Sequence, residues 1–133
     1  MLRYPQHVLQ PEDLLTFILM DGFSDDWDEL GLEDMDLQAL EIMIMAAPTG
    51  PPVVPGTGRL RKIRFARSGR NVGKSGGARV CYVYFEEWKI VLLVVAYGKS
   101  EKDDLDPDEK RAIRALIQRE EVAFLSRKGR SQR

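Results

Sequence analysis

The spacing of apolar and polar positions changes character several times along the chain, and each change predicts an element. Residues 14 to 20, LLTFILM, form a nearly unbroken apolar run with β-branched and aromatic members, which predicts a buried strand ended by a turn at Asp21-Gly22. Ser24 then suits the N-cap of a short helix. Asp25 and Asp26 fall in its first turn, where the helix dipole favours acids, and Gly31 follows its end. Phe23, Trp27 and Leu30 share one side of that helix. A second helix is expected over residues 34 to 47, with Leu37, Leu40, Ile44 and Ala47 on one stripe and Ile42 and Met45 off it. Two readings of that extra apolar surface stay open: a deeply packed helix, or a docking face for a partner.

Residues 48 to 58, PTGPPVVPGTG, hold four prolines and three glycines and predict a connector. Strands are expected over residues 59 to 67 and 78 to 86, flanking a glycine-rich loop that is unsuited to a packed core. The first of them alternates as a half-buried strand does, with Lys62 and Arg64 on one face and Ile63 and Phe65 on the other. After a turn at residues 86 to 89, IVLLVVAYG reads as a central strand covered on both faces. Tight turns between these three strands imply an antiparallel meander. Last comes a strong helix start: Asp106 as N-cap, Pro107 in the first position and Glu109 in the third. Ile113, Leu116, Ile117 and Phe124 form its buried stripe, while Lys110, Arg111, Arg114 and Arg119 point outward. The expected fold class is α+β, with helices packed on a four-stranded, mostly antiparallel sheet and a helix at the C-terminus. The expected organisation is a loose arm over residues 1 to 13, one domain over residues 14 to 127, and a basic, frayed tail over residues 128 to 133.

Charge changes this picture more than composition does. The net charge of −1 conceals sorting: residues 1 to 50 carry eleven acids and one base, and residues 51 to 85 carry eight bases and no acid. Residues 86 to 133 carry ten acids and eleven bases. Such separation suggests two surfaces with different partners, and the basic centre suits a polyanion. Cys81 is the single cysteine, so no internal disulfide can form, and its apolar strand marks it as inert core. The N-terminal apolar run is too short for a signal peptide or a spanning helix, so a cytoplasmic protein with no membrane association is expected.

Several chemistries fail on the residues. The segment from Gly69 to Ser75 resembles a phosphate-binding loop, but three residues rather than four separate its glycines, and a strand rather than a helix is expected to follow. The one histidine, His7, lies in the arm, which removes paired-histidine acid–base catalysis and leaves no metal or cofactor site. What remains is a cluster of cations on one sheet face. Gripping phosphate is the commoner use of such a cluster. Cutting RNA is the other: the substrate's own 2′-hydroxyl is the nucleophile, and the protein orients it, spreads the developing charge and moves protons. A lysine hemmed in by arginines has its charged form disfavoured, which suits a general base.

Three ordered segments carry a family resemblance: PGTGRLRKIR at 55–64, KSGGARV at 74–80 and YGKSEKDDL at 97–105. They resemble the successive signatures of RelE-superfamily toxins, in particular the HigB-like branch, over about residues 50 to 118. The resemblance implies a RelE-like domain acting as the toxin of a toxin–antitoxin pair. Such a toxin enters the ribosomal A site and cuts messenger RNA without a metal, and a helix-turn-helix antitoxin neutralises it. It implies that Lys62 and Arg64 serve base catalysis and phosphate contact, that Arg79 stabilises the transition state, and that Lys99 lies beside the site. Arg61, Arg67, Arg70 and Lys74 would bind RNA backbone. Ser100 and Asp106 stand where the best-studied relatives have an arginine and a tyrosine, so proton donation falls to another group, with Lys74 and Arg67 as candidates. Arg59 replaces a usual glycine and is expected to add a cation at the strand start. The same resemblance leaves two other functions open: a ParE-like inhibitor of gyrase without catalysis, or an inactive phage-derived copy.

Overall fold

The computed structural model describes residues 9–66, 77–99, 101–102 and 104–131, with side chains as far as residue 127. In chain order the elements are β1 (Thr16–Leu19), α1 (Phe23–Glu29), α2 (Asp34–Ala46), β2 (Leu60–Phe65), β3 (Ala78–Phe85), β4 (Ile90–Gly98) and α3 (Pro107–Ser131). The four strands make one sheet in the order β1-β4-β3-β2. β2, β3 and β4 form the expected antiparallel meander, and β1 joins the edge of β4 in parallel, so the sheet is mixed. The α+β class read from the residues is the one observed.

The sheet separates two apolar layers. On one face Leu60, Cys81, Val83, Phe85 and Leu92 pack under Ile117 and Phe124 of α3. On the other, Phe65, Val80, Tyr82, Val91 and Leu93 pack under Phe23 and Trp27 of α1 and Leu40 and Ile44 of α2. With both faces covered, β3 and β4 have to be apolar nearly throughout. The sequence predicts this for β4; β3 is central too and buried at every position but Tyr84. The register shifts between Cys81, which pairs with Val95, and Tyr82, which pairs with Leu93. Val94 is the extra residue of this bulge, and it joins the layer under α3, against which Val95 also packs.

Local chemistry fixes the ends of the elements. Gly22, at φ 90°, caps α1, so Ser24 lies inside the first turn and is not the N-cap. The chain reverses at Asp21-Gly22 in a conformation that a glycine tolerates without strain, and the helix begins at the very next residue. Asp26 reaches out of α1 to accept from Ala96 N at 3.2 Å, which ties the helix to β4. Burial raises its carboxyl above the ordinary value despite that bond. At α3 the expected reciprocal cap is present: Glu109 N donates to Asp106 Oδ1 at 2.8 Å, and Asp106 N donates to Glu109 Oε1 at 2.9 Å. Helical backbone continues to Ser131, through the stretch expected to fray.

Two further expectations are corrected. The run at residues 14 to 20 is not a buried strand: only Thr16–Leu19 pairs, at an edge of the sheet, and Leu14 is 59% exposed. Among the described residues its one strand neighbour is β4, so it forms an edge of the sheet. The connector before β2 does more than span a gap. Val53 bridges to Arg61, Val54 N donates to Leu60 O at 2.7 Å, and the fully buried Thr57 hydroxyl donates to Val54 O at 2.6 Å. The outer edge of β2 is thereby covered at its start, over Leu60, Arg61 and Lys62.

Phe85 is fully buried, with the rings of Trp88 and Phe124 at 5.4 and 5.6 Å. Phe85→Ala is expected to cost roughly 3–5 kcal/mol in chemical denaturation. Leu125→Ala, at an exposed position of α3, is expected to stay within about 0.5 kcal/mol of the wild type.

Candidate anion-binding groove

The pairing of β2 with β3 builds the site. Lys62 lies opposite Cys81, and Arg64 lies opposite Arg79. Directly opposed residues of an antiparallel pair project from the same face, and so do residues two apart on one strand. Lys62, Arg64 and Arg79 therefore share the α3 face of the sheet, at the end that the apolar layer leaves uncovered. Lys99 follows β4 and completes the group, its backbone N donating to Gly77 O at 3.3 Å. These four cations line an open groove of about 610 Å³, walled on one side by Pro51 and Pro52.

Arg79 is the unusual member. It is only 8% exposed, and its single hydrogen bond among the described residues runs from Nη1 to Ala78 O at a long 3.5 Å. A guanidinium has five donors and loses hydration on burial, so a fold normally supplies a carboxylate or several carbonyls to compensate. Here the residue directly across the sheet is another arginine, and like charges so placed destabilise a pair. Among the described residues Arg79 is thus a desolvated, under-bonded cation at a groove wall, an arrangement that an oxyanion entering the groove would relieve.

Lys62 is balanced differently from the sequence-based expectation. It is not hemmed in by cations alone: Asp104, just before α3, places Oδ1 3.6 Å from Lys62 Nζ. Oδ2 of the same carboxylate lies 3.4 Å from Lys110 Nζ, so Lys110 turns toward the groove's rim and not outward as its helical position suggested. Partial burial pushes the Asp104 carboxyl up, but the bond from Leu105 N and the two ammoniums outweigh it and hold it below its ordinary value.

Other basic residues prove to have structural work. Arg61 projects from the opposite face of the sheet, beside Tyr82, and donates to Thr49 O at 3.0 Å and Pro51 O at 2.7 Å. It stands apart from the groove's cations. Arg59 does not extend the patch either. It pairs with Glu87 at 3.1 Å and Glu121 at 2.8 Å and lies over the Phe85 ring at 4.6 Å, fastening the start of β2 to α3. Arg67, Arg70 and Lys74 lie outside the described residues. Asp104 and Lys110 were missed in the sequence, because no spacing rule links either to a lysine some forty positions earlier.

Beneath the groove lie two buried polar groups. Burial pushes the Cys81 thiol up to about 12, which makes it a poor nucleophile, as its apolar strand implied. The Tyr97 hydroxyl, on β4 opposite Arg79, has no nitrogen or oxygen partner among the described residues and lies beside that thiol; burial raises its pKa too. Among the described residues no cluster of histidine, cysteine, aspartate or glutamate could hold a metal ion, and no helix is long and apolar enough to cross a membrane.

Two outcomes follow from these groups. Cys81 is expected to resist alkylation near pH 8 in the folded chain and to react once guanidinium unfolds it, read by intact mass. For Asp104 the folded value lies below the unfolded one. The stabilisation from its lysines is therefore complete above the ordinary carboxylate range and is lost as pH falls through the lowered folded value. Melting temperature followed from pH about 5 to about 3 should fall less steeply for Asp104→Asn than for the wild type.

No family model matches the sequence. The structure is similar to that of the E. coli toxin RelE, solved in the free state as a mutant with two arginines replaced by alanine. The TM-score is 0.47 and the identity 15%, over 67% of this chain and 87% of RelE. At that identity the likeness concerns backbone arrangement and says nothing of the side chains in the groove.

Proposed function

We propose that this chain is a toxin of a toxin–antitoxin pair, of the HigB-like branch of the RelE superfamily, and that it cuts messenger RNA in the ribosomal A site. The reading is supported most by one observation: Arg79, buried and under-bonded among the described residues, shares a groove with Lys62, Arg64 and Lys99. The three ordered sequence signatures agree with it.

In this reading the groove takes a ribose–phosphate unit. Arg79 and Arg64 face each other across neighbouring strands and clamp the scissile phosphate, neutralising charge that builds as the 2′-hydroxyl attacks. Lys62, one pleat along β2, takes the 2′-hydroxyl proton as general base. The 2′-oxygen forms a bond to phosphorus while the bond to the 5′-oxygen breaks and that oxygen takes up a proton, with Lys74 and Arg67 as the candidate donors, leaving a cyclic phosphate and a 5′-hydroxyl. No metal or cofactor is required by this scheme. Lys99, Arg67, Arg70 and Lys74 hold flanking backbone of messenger or ribosomal RNA, and such contacts position without reading sequence. Arg61, held on the far face by connector carbonyls, is left out of that role. Residues 14 to 127 form the working domain, with an arm before it and a basic tail after it. The partners are the ribosome, its messenger, and a helix-turn-helix antitoxin that neutralises the toxin in the cytoplasm.

Expression without an antitoxin should arrest growth with cleavage of translated messenger. Arg79→Ala should reduce cleavage on programmed ribosomes about a hundredfold or more, and Lys62→Ala together with Arg79→Ala should abolish toxicity. Full toxicity in the double variant would remove the assignment. Arrest with intact messenger and accumulating DNA damage would point instead to a gyrase inhibitor.

A further inference from the structure

We infer that Asp104 is a positioning residue that acts as an internal counter-anion: it holds Lys62 and Lys110 at the rim of the groove and competes with a nucleic-acid phosphate for them. The inference rests on the reading that the groove binds RNA backbone, but not on whether that RNA is cut.

The geometry carries it. One carboxylate spans two ammoniums, with Oδ1 3.6 Å from Lys62 and Oδ2 3.4 Å from Lys110. Both separations are longer than a close ion-pair hydrogen bond, as expected where one anion is shared. A phosphodiester offers the same thing, two oxygens carrying one negative charge between them, so Asp104 occupies the electrostatic place that a phosphate would take beside Lys62. Its position also favours exchange. The Asp104 side chain is 48% exposed, whereas those of Lys62 and Lys110 are 27% and 23% exposed. The cations are thus held against the protein, and the anion between them is open to solvent and to a competitor. Lys110 is braced as well, its stem passing over Gly56, where an added Cβ would lie 3.8 Å from Lys110 Cδ. The anion-binding surface therefore continues past the sheet onto α3, where a neighbouring phosphate of a bound strand would meet Lys110.

Asp104 has a second duty that the test must separate from the first. Its Oδ1 also accepts from Leu105 N at 2.8 Å, just ahead of the α3 cap. Asp104→Asn keeps that acceptor and removes the charge. Asp104→Glu keeps the charge.

The experiment measures binding of a fluorescent, all-2′-deoxy oligonucleotide, which cannot be cleaved by 2′-hydroxyl attack, to the full chain over a series of salt concentrations. Asp104→Asn should bind about threefold tighter than wild type, the scale of one exposed charge interaction. Its plot of log K against log salt should steepen by about 0.7, as one more phosphate is neutralised. Asp104→Glu should match the wild type. Lys110→Met should bind about threefold more weakly. A merely structural Asp104 would lower the melting temperature of Asp104→Asn and leave affinity and salt slope where they were, and that result overturns the inference. So does a Lys110→Met variant that binds like the wild type, or an oligonucleotide that binds neither wild type nor Asp104→Asn. If Asp104→Asn tightens binding while Lys62→Ala with Arg79→Ala remains fully toxic, the counter-anion stands and the nuclease reading falls.

Discussion

The in-register pairing of β2 with β3 is the constraint on which the site depends. It places Arg64 against Arg79 and Lys62 against Cys81, all on the α3 face. A slip of one residue would send Lys62 and Arg64 to the α1/α2 face and bring Ile63 and Phe65 out in their place. Such a slip would uncover the fully buried Leu60 and the nearly buried Phe65, which point into opposite apolar layers. The connector adds a second lock, since Val53, Val54 and Thr57 bond to the start of β2 and fix its outer edge. Burial of apolar side chains thus holds together a set of like charges that would otherwise separate.

The two faces of the sheet divide the work. The α1/α2 face is closed: Trp27 stacks near Phe23 and Phe65, and its indole N–H donates to Glu33 O at 3.1 Å. The α3 face is apolar along most of its length, where Phe85, Trp88 and Phe124 meet, and turns polar toward the end of β2. The α3 helix starts beside the groove, with its capping segment supplying Asp104 and its second turn supplying Lys110. Basic residues with structural partners frame the groove without joining it. Arg59 is committed to Glu87 and Glu121, and Arg61 to two carbonyls. What distinguishes Arg79 from them is the lack of such commitment, among the described residues, in a more buried position.

Much of this was legible in the residues because it is local. The alternation in β2, the apolar run of β4 and the Asp106–Glu109 cap each follow from a period or a spacing within a few positions. Parity alone places Lys62 and Arg64 together, and it also places Arg61 on the other face, a consequence that grouping it with the RNA-binding cations passed over. Global facts were not legible. LLTFILM is as apolar as a central strand, yet it lies at an edge because a single parallel partner receives it. Ser24 is a good capping residue, but Gly22 had already turned the chain into the helix. The carboxylate beside Lys62 comes from a segment after the last strand, brought there by the path of the chain and not by any motif.

The central claim is that an anion enters the groove on the α3 face and bonds to Arg79. It is tested most directly by following arginine side-chain Nε–H resonances during titration with the uncleavable oligonucleotide. The expected result is a saturating shift of the Arg79 and Arg64 signals, with those of Arg59 and Arg61 unmoved. A shift of Arg61 while Arg79 stays still would place the nucleic acid on the opposite face and contradict the claim.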